Sequence, residues 1–171
     1  MIRLFVSLLL ITFLISCNQQ KEEKLSKPLV LKDGILYSDS LSTAPFTGRH
    51  KSRMLDMKIE YEVVNGVREG DFIVYFSNEN IQMAGKMKGN KNVGEWKYYF
   101  PDGSLQTSGY YDNDIPTGKW VWYNANGSVI EEGTYLGGKR EGEWNSYDSI
   151  GRLEFVRLYN DNKLLDSTKV N

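Results

Sequence analysis

Apolar and polar side chains alternate along this chain in short runs, and the alternation itself recurs with a step of 24 residues. Glu95-Trp96-Lys97-Tyr98-Tyr99-Phe100 is typical, a run dense in aromatics whose flat rings suit a pleated surface. Pro101-Asp102-Gly103 then predicts a turn, because Pro presets φ and Gly accepts the left-handed backbone. Residues 105–111 predict the returning strand, and Asp112-Asn113-Asp114 begins the link to the next unit. In the following copy Asn126-Gly127 is a tight-turn pair. No apolar period of 3.6 residues is visible, so helices are not expected.

The recurrence is strict. Gly70, Gly94, Gly118 and Gly142 open successive units; Phe72, Trp96, Trp120 and Trp144 follow, then Tyr75, Tyr99, Tyr123 and Tyr147. Gly103, Gly127 and Gly151 mark the turn, with Glu79 in the first copy, before Ile81, Leu105, Val129 and Leu153. Gly85, Gly109 and Gly133 come next, with Arg157 breaking the series, and Met87, Tyr111, Tyr135 and Tyr159 finish each unit. A looser copy upstream includes Phe46, Tyr61, Val63 and Gly66, with residues 49–58 as an altered first unit and residues 29–37 as a covering strand. Strand alternation puts Trp96, Tyr98 and Phe100 on one face and Glu95, Lys97 and Tyr99 on the other. Neighbouring hairpins are expected to stack equivalent rings into ladders on both faces. Glycine inside a strand is costly unless something needs its space, and the returning-strand series predicts a large ring on the adjacent strand. The fold class that follows is all-β: an elongated single-sheet meander of tandem β-hairpins, about ten strands and roughly 45 Å long.

The first residues follow another pattern. Arg3 precedes an almost wholly apolar run at residues 4–15, too short to span a bilayer but suited to the apolar region of a signal peptide. Leu14-Ile15-Ser16-Cys17 closes it and resembles the bacterial lipobox, with Ile15 a less usual occupant of its place. That resemblance implies a signal peptide over residues 1–16, acylation of Cys17, and a lipid-anchored bacterial envelope location, with the outer membrane expected because no Asp follows Cys17 and its periplasmic or surface side left open. Residues 17–32 are expected to be the lipidated Cys and a polar tether, 33–65 an N-terminal cap and degenerate repeat, 66–160 the repeats, and 161–171 a charged tail that blunts the last edge.

The unit Gly94-Glu95-Trp96-Lys97-Tyr98-Tyr99-Phe100 with Gly103 and Gly109 resembles a MORN repeat in its bacterial variant, as do its counterparts from Gly118 and Gly142. The resemblance covers residues 66–160 closely and reaches back to about residue 46. It implies strings of hairpins in one sheet, used as protein- or membrane-interaction modules. Many bacterial proteins of this type are described as antitoxin-like, a role that fits poorly with an anchored Cys17 outside the cytoplasm. Phe72, Glu79 and Arg157 depart from the pattern and put the terminal units in doubt as ligand sites.

Charge and chemistry narrow the function further. Twenty-one Lys and Arg balance 22 Asp and Glu, so no nucleic-acid footprint is expected. Cys17 is the only Cys, which leaves no internal disulfide and no Cys-based metal cluster. His50 is the only His and is expected at the surface; Glu131 and Glu132 should point to opposite faces as solvated charges. Asp102, Asp112 and Asp114 belong to turns, and no phosphate loop, dinucleotide fingerprint or zinc spacing is present. No catalytic residue, cofactor or metal is expected. The expected function is a non-enzymatic, membrane-anchored interaction or scaffolding module, with an antitoxin-like or saccharide-binding envelope protein as alternatives. Its partners would be membrane lipid through acylated Cys17 and a protein or other extended ligand. The candidate binding face comprises Tyr75, Tyr99, Tyr123 and Tyr147 with Trp96, Trp120 and Trp144, although rings of this kind also serve simply to hold a sheet together.

Overall fold

The computed structural model describes residues 25–54 and 57–170. Cys17 and the expected signal peptide lie outside the described residues. Eleven strands form one antiparallel meander in which every strand pairs with its sequence neighbours. They run from β3 (Gly48–Met54), β4 (Met57–Val64) and β5 (Val67–Tyr75) through β6 (Ile81–Lys88), β7 (Lys91–Tyr99) and β8 (Leu105–Asp112). The meander continues through β9 (Ile115–Tyr123), β10 (Val129–Leu136), β11 (Lys139–Tyr147), β12 (Leu153–Asn160) and β13 (Lys163–Lys169). A separate hairpin, β1 (Val30–Lys32) and β2 (Ile35–Tyr37), covers one end.

The all-β repeat architecture is as expected, and three details differ. The segment after residue 160 is a strand, not a tail: Asp161-Asn162 turns the chain and β13 pairs with β12 from Asn160↔Lys163 to Phe155↔Lys169. Residues 29–37 supply a hairpin rather than one covering strand, and its Leu36 packs with Val63 and Tyr61 as the best-buried apolar cluster. Third, the tight turns fall at the links between units. Gly89-Asn90, Asn113-Asp114, Gly137-Gly138 and Asp161-Asn162 all have positive φ at both positions, the backbone of a two-residue turn that matches strand twist. Asn126-Gly127 lies instead in a wider turn over residues 124–128, closed by Asn124 N–H to Ser128 C=O.

Adjacent tight turns are tied together across units. Asn90 donates its N–H to Arg68 C=O and accepts Arg68 N–H on its side-chain oxygen at 2.8 Å. Asp114 repeats this double link with Asn92, and Asn162 with Arg140. At the remaining joint Pro116 has no N–H to give and Gly138 has no side-chain acceptor. Only the Gly138 N–H to Pro116 C=O bond is made there.

Two of the recurring glycine series have different causes. A Cβ at Gly109 would collide with the indole of Trp120, and Gly85 and Gly133 stand in the same relation to Trp96 and Trp144. The expectation of a ring over each glycine therefore holds. Trp120 lies across Gly109 and donates its Nε1–H to the C=O of Tyr110 at 3.2 Å, and the other two indoles make the equivalent bond. Gly94 has nothing near its missing Cβ; its need is a φ of +67°, at a bulge where β7 slips register against β6.

Candidate functional site

Alternation divides the sheet into an indole face and a tyrosine face, as expected from sequence. On the indole face the rings do not stack on their own equivalents. Tyr111 stands edge-on between Trp96 and Trp120, and Tyr135 between Trp120 and Trp144, with centroids 5.1–6.1 Å apart. The series extends to Tyr159 at one end and through Phe72, Tyr61 and His50 to Phe46 at the other. Trp96, Trp120 and Trp144 are all buried, Trp144 completely. Edge-to-face pairs are worth about 0.5–1.5 kcal/mol each beyond the area they bury, so this row is the structural spine.

His50 belongs to that row and is not a surface residue: it is 1% exposed, with its ring 5.1 Å from Tyr61. Its Nδ1 has no hydrogen-bond partner, and burial first, then the Arg68 charge, hold its pKa below the usual value. Phe46 and Tyr61 surround it from strands and loops that the irregular first unit concealed.

Tyr75, Tyr99, Tyr123 and Tyr147 are half-buried on the opposite face and form no ring ladder. Charged groups meet two of them instead. Lys58 Nζ sits 4.2 Å above the Tyr75 ring, and the Tyr147 hydroxyl donates to Glu132 Oε1 at 2.8 Å. Glu131 and Glu132 do point to opposite faces, but each is paired rather than merely solvated: Glu131 with Arg140 at 3.0 Å, Glu132 with Lys119 at 2.8 Å. Near the first strands, Arg49, Lys51 and Lys58 surround buried Glu60. Burial alone would raise the Glu60 pKa, yet the Lys51, Arg49 and Lys58 partners together hold it below the ordinary carboxylate value.

A third feature was not anticipated. On the indole face, toward the wide turns, lies an open cleft of about 660 Å³ lined by Met57, Ile59, Val74, Phe76, Met83 and Phe100, among others. Tyr98 forms its floor beside the indole row, its hydroxyl 3.2 Å from that of Tyr111, and burial pushes its pKa far up so that it remains a neutral phenol. Repeat arithmetic explains where the cleft stops. Phe76 and Phe100 occupy a position filled by Asn124 and Asp148 in the next two units, and Val74 and Tyr98 one filled by Trp122 and Ser146. The first two units are therefore apolar here, the third carries a large indole, and the fourth is polar. The cleft includes Tyr99 from the proposed binding series, but not Tyr75, Tyr123 or Tyr147.

Among the described residues no cluster of three or more His, Cys, Asp or Glu side chains could hold a metal. No helix among them is long and apolar enough to cross a membrane.

The comparison with curated proteins gives no match. Among solved structures, the GtfA/B complex bound to UDP and GlcNAc is similar at 15% identity and a TM-score of 0.26, over 81% of this chain and 27% of that one. The chain thus spans about a quarter of that protein, and so slight a likeness bears on neither fold nor function. Two central units give the clear result: residues 92–113 and 116–136 match the MORN repeat variant family.

Proposed function

We propose that this chain is a non-enzymatic interaction module of the bacterial envelope, held at the membrane by acylated Cys17, and that its indole-face cleft captures an extended protein segment. MORN repeats generally serve as protein- or membrane-interaction modules. The observation that carries the proposal is the cleft itself. Phe76, Met83 and Phe100 present a contiguous apolar surface on a sheet face with no second layer above it among the described residues. The tyrosine face is the weaker candidate, because Tyr75 and Tyr147 are already engaged by Lys58 and Glu132.

The test places a photoreactive phenylalanine analogue at Phe100 of the full chain in intact envelopes. One stoichiometric protein adduct is expected, lost when Phe76→Asp is added to a protein that still unfolds cooperatively. An adduct that survives Phe76→Asp, or none at all, rejects the cleft. Mass spectrometry of the mature protein tests the anchor separately: a diacyl or triacyl Cys17 at its N-terminus is expected, and an unprocessed residue 1 rejects it.

A further inference from the structure

Every Asp-Ser dipeptide in the sequence is followed by a β-branched or branched aliphatic residue: Asp39-Ser40-Leu41, Asp148-Ser149-Ile150 and Asp166-Ser167-Thr168. The second copy lies in the last wide turn, and the three earlier turns show what that position ordinarily holds. Where they have Asn78, Asp102 and Asn126, each accepting the main-chain N–H two residues on, the last turn has Ile150, 70% exposed. The turn closes without its help. Asp148 accepts the N–H groups of Ile150 and Arg152 at 3.0 and 2.9 Å, as Asn124 does for Asn126 and Ser128 one unit earlier. An unrelated turn ahead of the sheet repeats the arrangement. Asp39 Oδ1 accepts the N–H groups of Leu41 and Ser42 at 2.8 Å, and Leu41 is 89% exposed. Ser40, Ser149 and Ser167 are all exposed, and none lines the cleft. Two turns of different origin thus offer a carboxylate-fixed backbone, an accessible serine and an aliphatic side chain that the fold does not use.

We infer that these tripeptides are O-glycosylation sites, with Ser40 and Ser149 in turns and Ser167 on the exposed edge strand β13 as the acceptors. The inference rests on the exported location proposed above. Phosphorylation is the weaker use of the same hydroxyls. A nucleoside triphosphate is not at hand outside the cytoplasm, and a phosphate would sit beside the Asp carboxylate at a cost in like-charge repulsion. A neutral glycan meets neither obstacle and is a bulky, solvated group suited to an exposed turn. The donor class is a glycan carried on a polyprenyl diphosphate. The serine Oγ bonds to the anomeric carbon, the bond from that carbon to phosphate oxygen breaks, and the diphosphate leaves with the electron pair. The hydroxyl proton passes to a base of the transferase.

The experiment is intact-mass and peptide-fragmentation analysis of the full protein purified from its native cells. Sugar-residue increments are expected on the peptides of Ser40, Ser149 and Ser167. None is expected on Ser77, which is exposed at the Ser149 position of the first turn but lies between Phe76 and Asn78. Ile150→Asn, the residue type of the earlier turns, should remove the glycan from Ser149 alone and leave the unfolding midpoint unchanged, while Ile150→Val should retain it. Three bare serines on a protein acylated at Cys17 would overturn the inference and leave export standing. A bare, unprocessed chain would overturn both, and a phosphate increment would overturn glycosylation.

Discussion

The two faces of this sheet are built from the same repeat, and both carry aromatic residues without a break in period, yet the rings do different work. On the indole face, Trp96, Tyr111, Trp120, Tyr135 and Trp144 touch one another in sequence and are shielded by their neighbours. On the tyrosine face, Tyr75 and Tyr147 are half-exposed and meet a lysine and a glutamate. Periodicity therefore does not distinguish a ring that supports the sheet from one that settles charge. The difference shows in the partner strand: glycine lies beneath Trp96, Trp120 and Trp144, whereas ordinary side chains accompany the tyrosines.

Substitutions should separate the faces by size of effect. Trp144→Ala is expected to cost about 3–5 kcal/mol, since it removes a fully buried ring against which Trp122, Tyr135 and Tyr159 pack. Urea unfolding measures this, and a loss no greater than that of Tyr123→Ala would erase the distinction between the faces. Gly109→Ala should cost about 2–3 kcal/mol by forcing Trp120 off its seat. Gly94→Ala, which has room but the wrong φ, should cost about 1 kcal/mol, and Gly94→Asn less. Equal losses at the two glycines would mean that they share one cause. On the tyrosine face, Tyr147→Phe should cost about 0.5 kcal/mol, for one partly solvated hydrogen bond to Glu132.

The smallest effect is a pH dependence confined to the covered end of the sheet. The pKa of His50 is lower in the folded chain than its ordinary value of 6.5, so the unfolded chain binds the proton more readily. The stability from keeping this ring neutral is present above about pH 6.5 and declines as pH falls toward the folded value. Glu60, also depressed, adds its own loss at lower pH, below its ordinary value of 4.5. Amide protection in β3 and β4, taken relative to the intrinsic exchange rate at each pH, should fall as the pH drops below about 6.5, and His50→Phe should flatten that first step. A profile unchanged by the substitution would assign the acid sensitivity to Glu60.

Much of the fold was legible because hairpin repeats encode their contacts locally. The 24-residue step, the strand alternation and the glycine beneath each large ring were all readable from single positions. The turns were misplaced for a physical reason: Asn126-Gly127 has the composition of a two-residue turn, but a wider turn also needs a left-handed residue, and Gly127 supplies it. His50 was misread because its surroundings come from Phe46 and Tyr61, in the one part of the chain that departs from the frame. β13 escaped notice because all seven of its residues are exposed, so no burial signal marks it. The cleft needed comparison of one position across units, Phe76 and Phe100 against Asn124 and Asp148, rather than the pattern within a unit. How a face is covered depends on the whole sheet and is not written in any one hairpin.

The joint between Pro116 and Gly138 carries a mechanical consequence. Under tension applied across the strands, a row of turns shares its load through the hooks that connect one turn to the next. Three of those hooks hold by two bonds and this one by a single bond. A load passed from turn to turn would meet its weakest hook at that place, between the apolar cleft and the last hairpins.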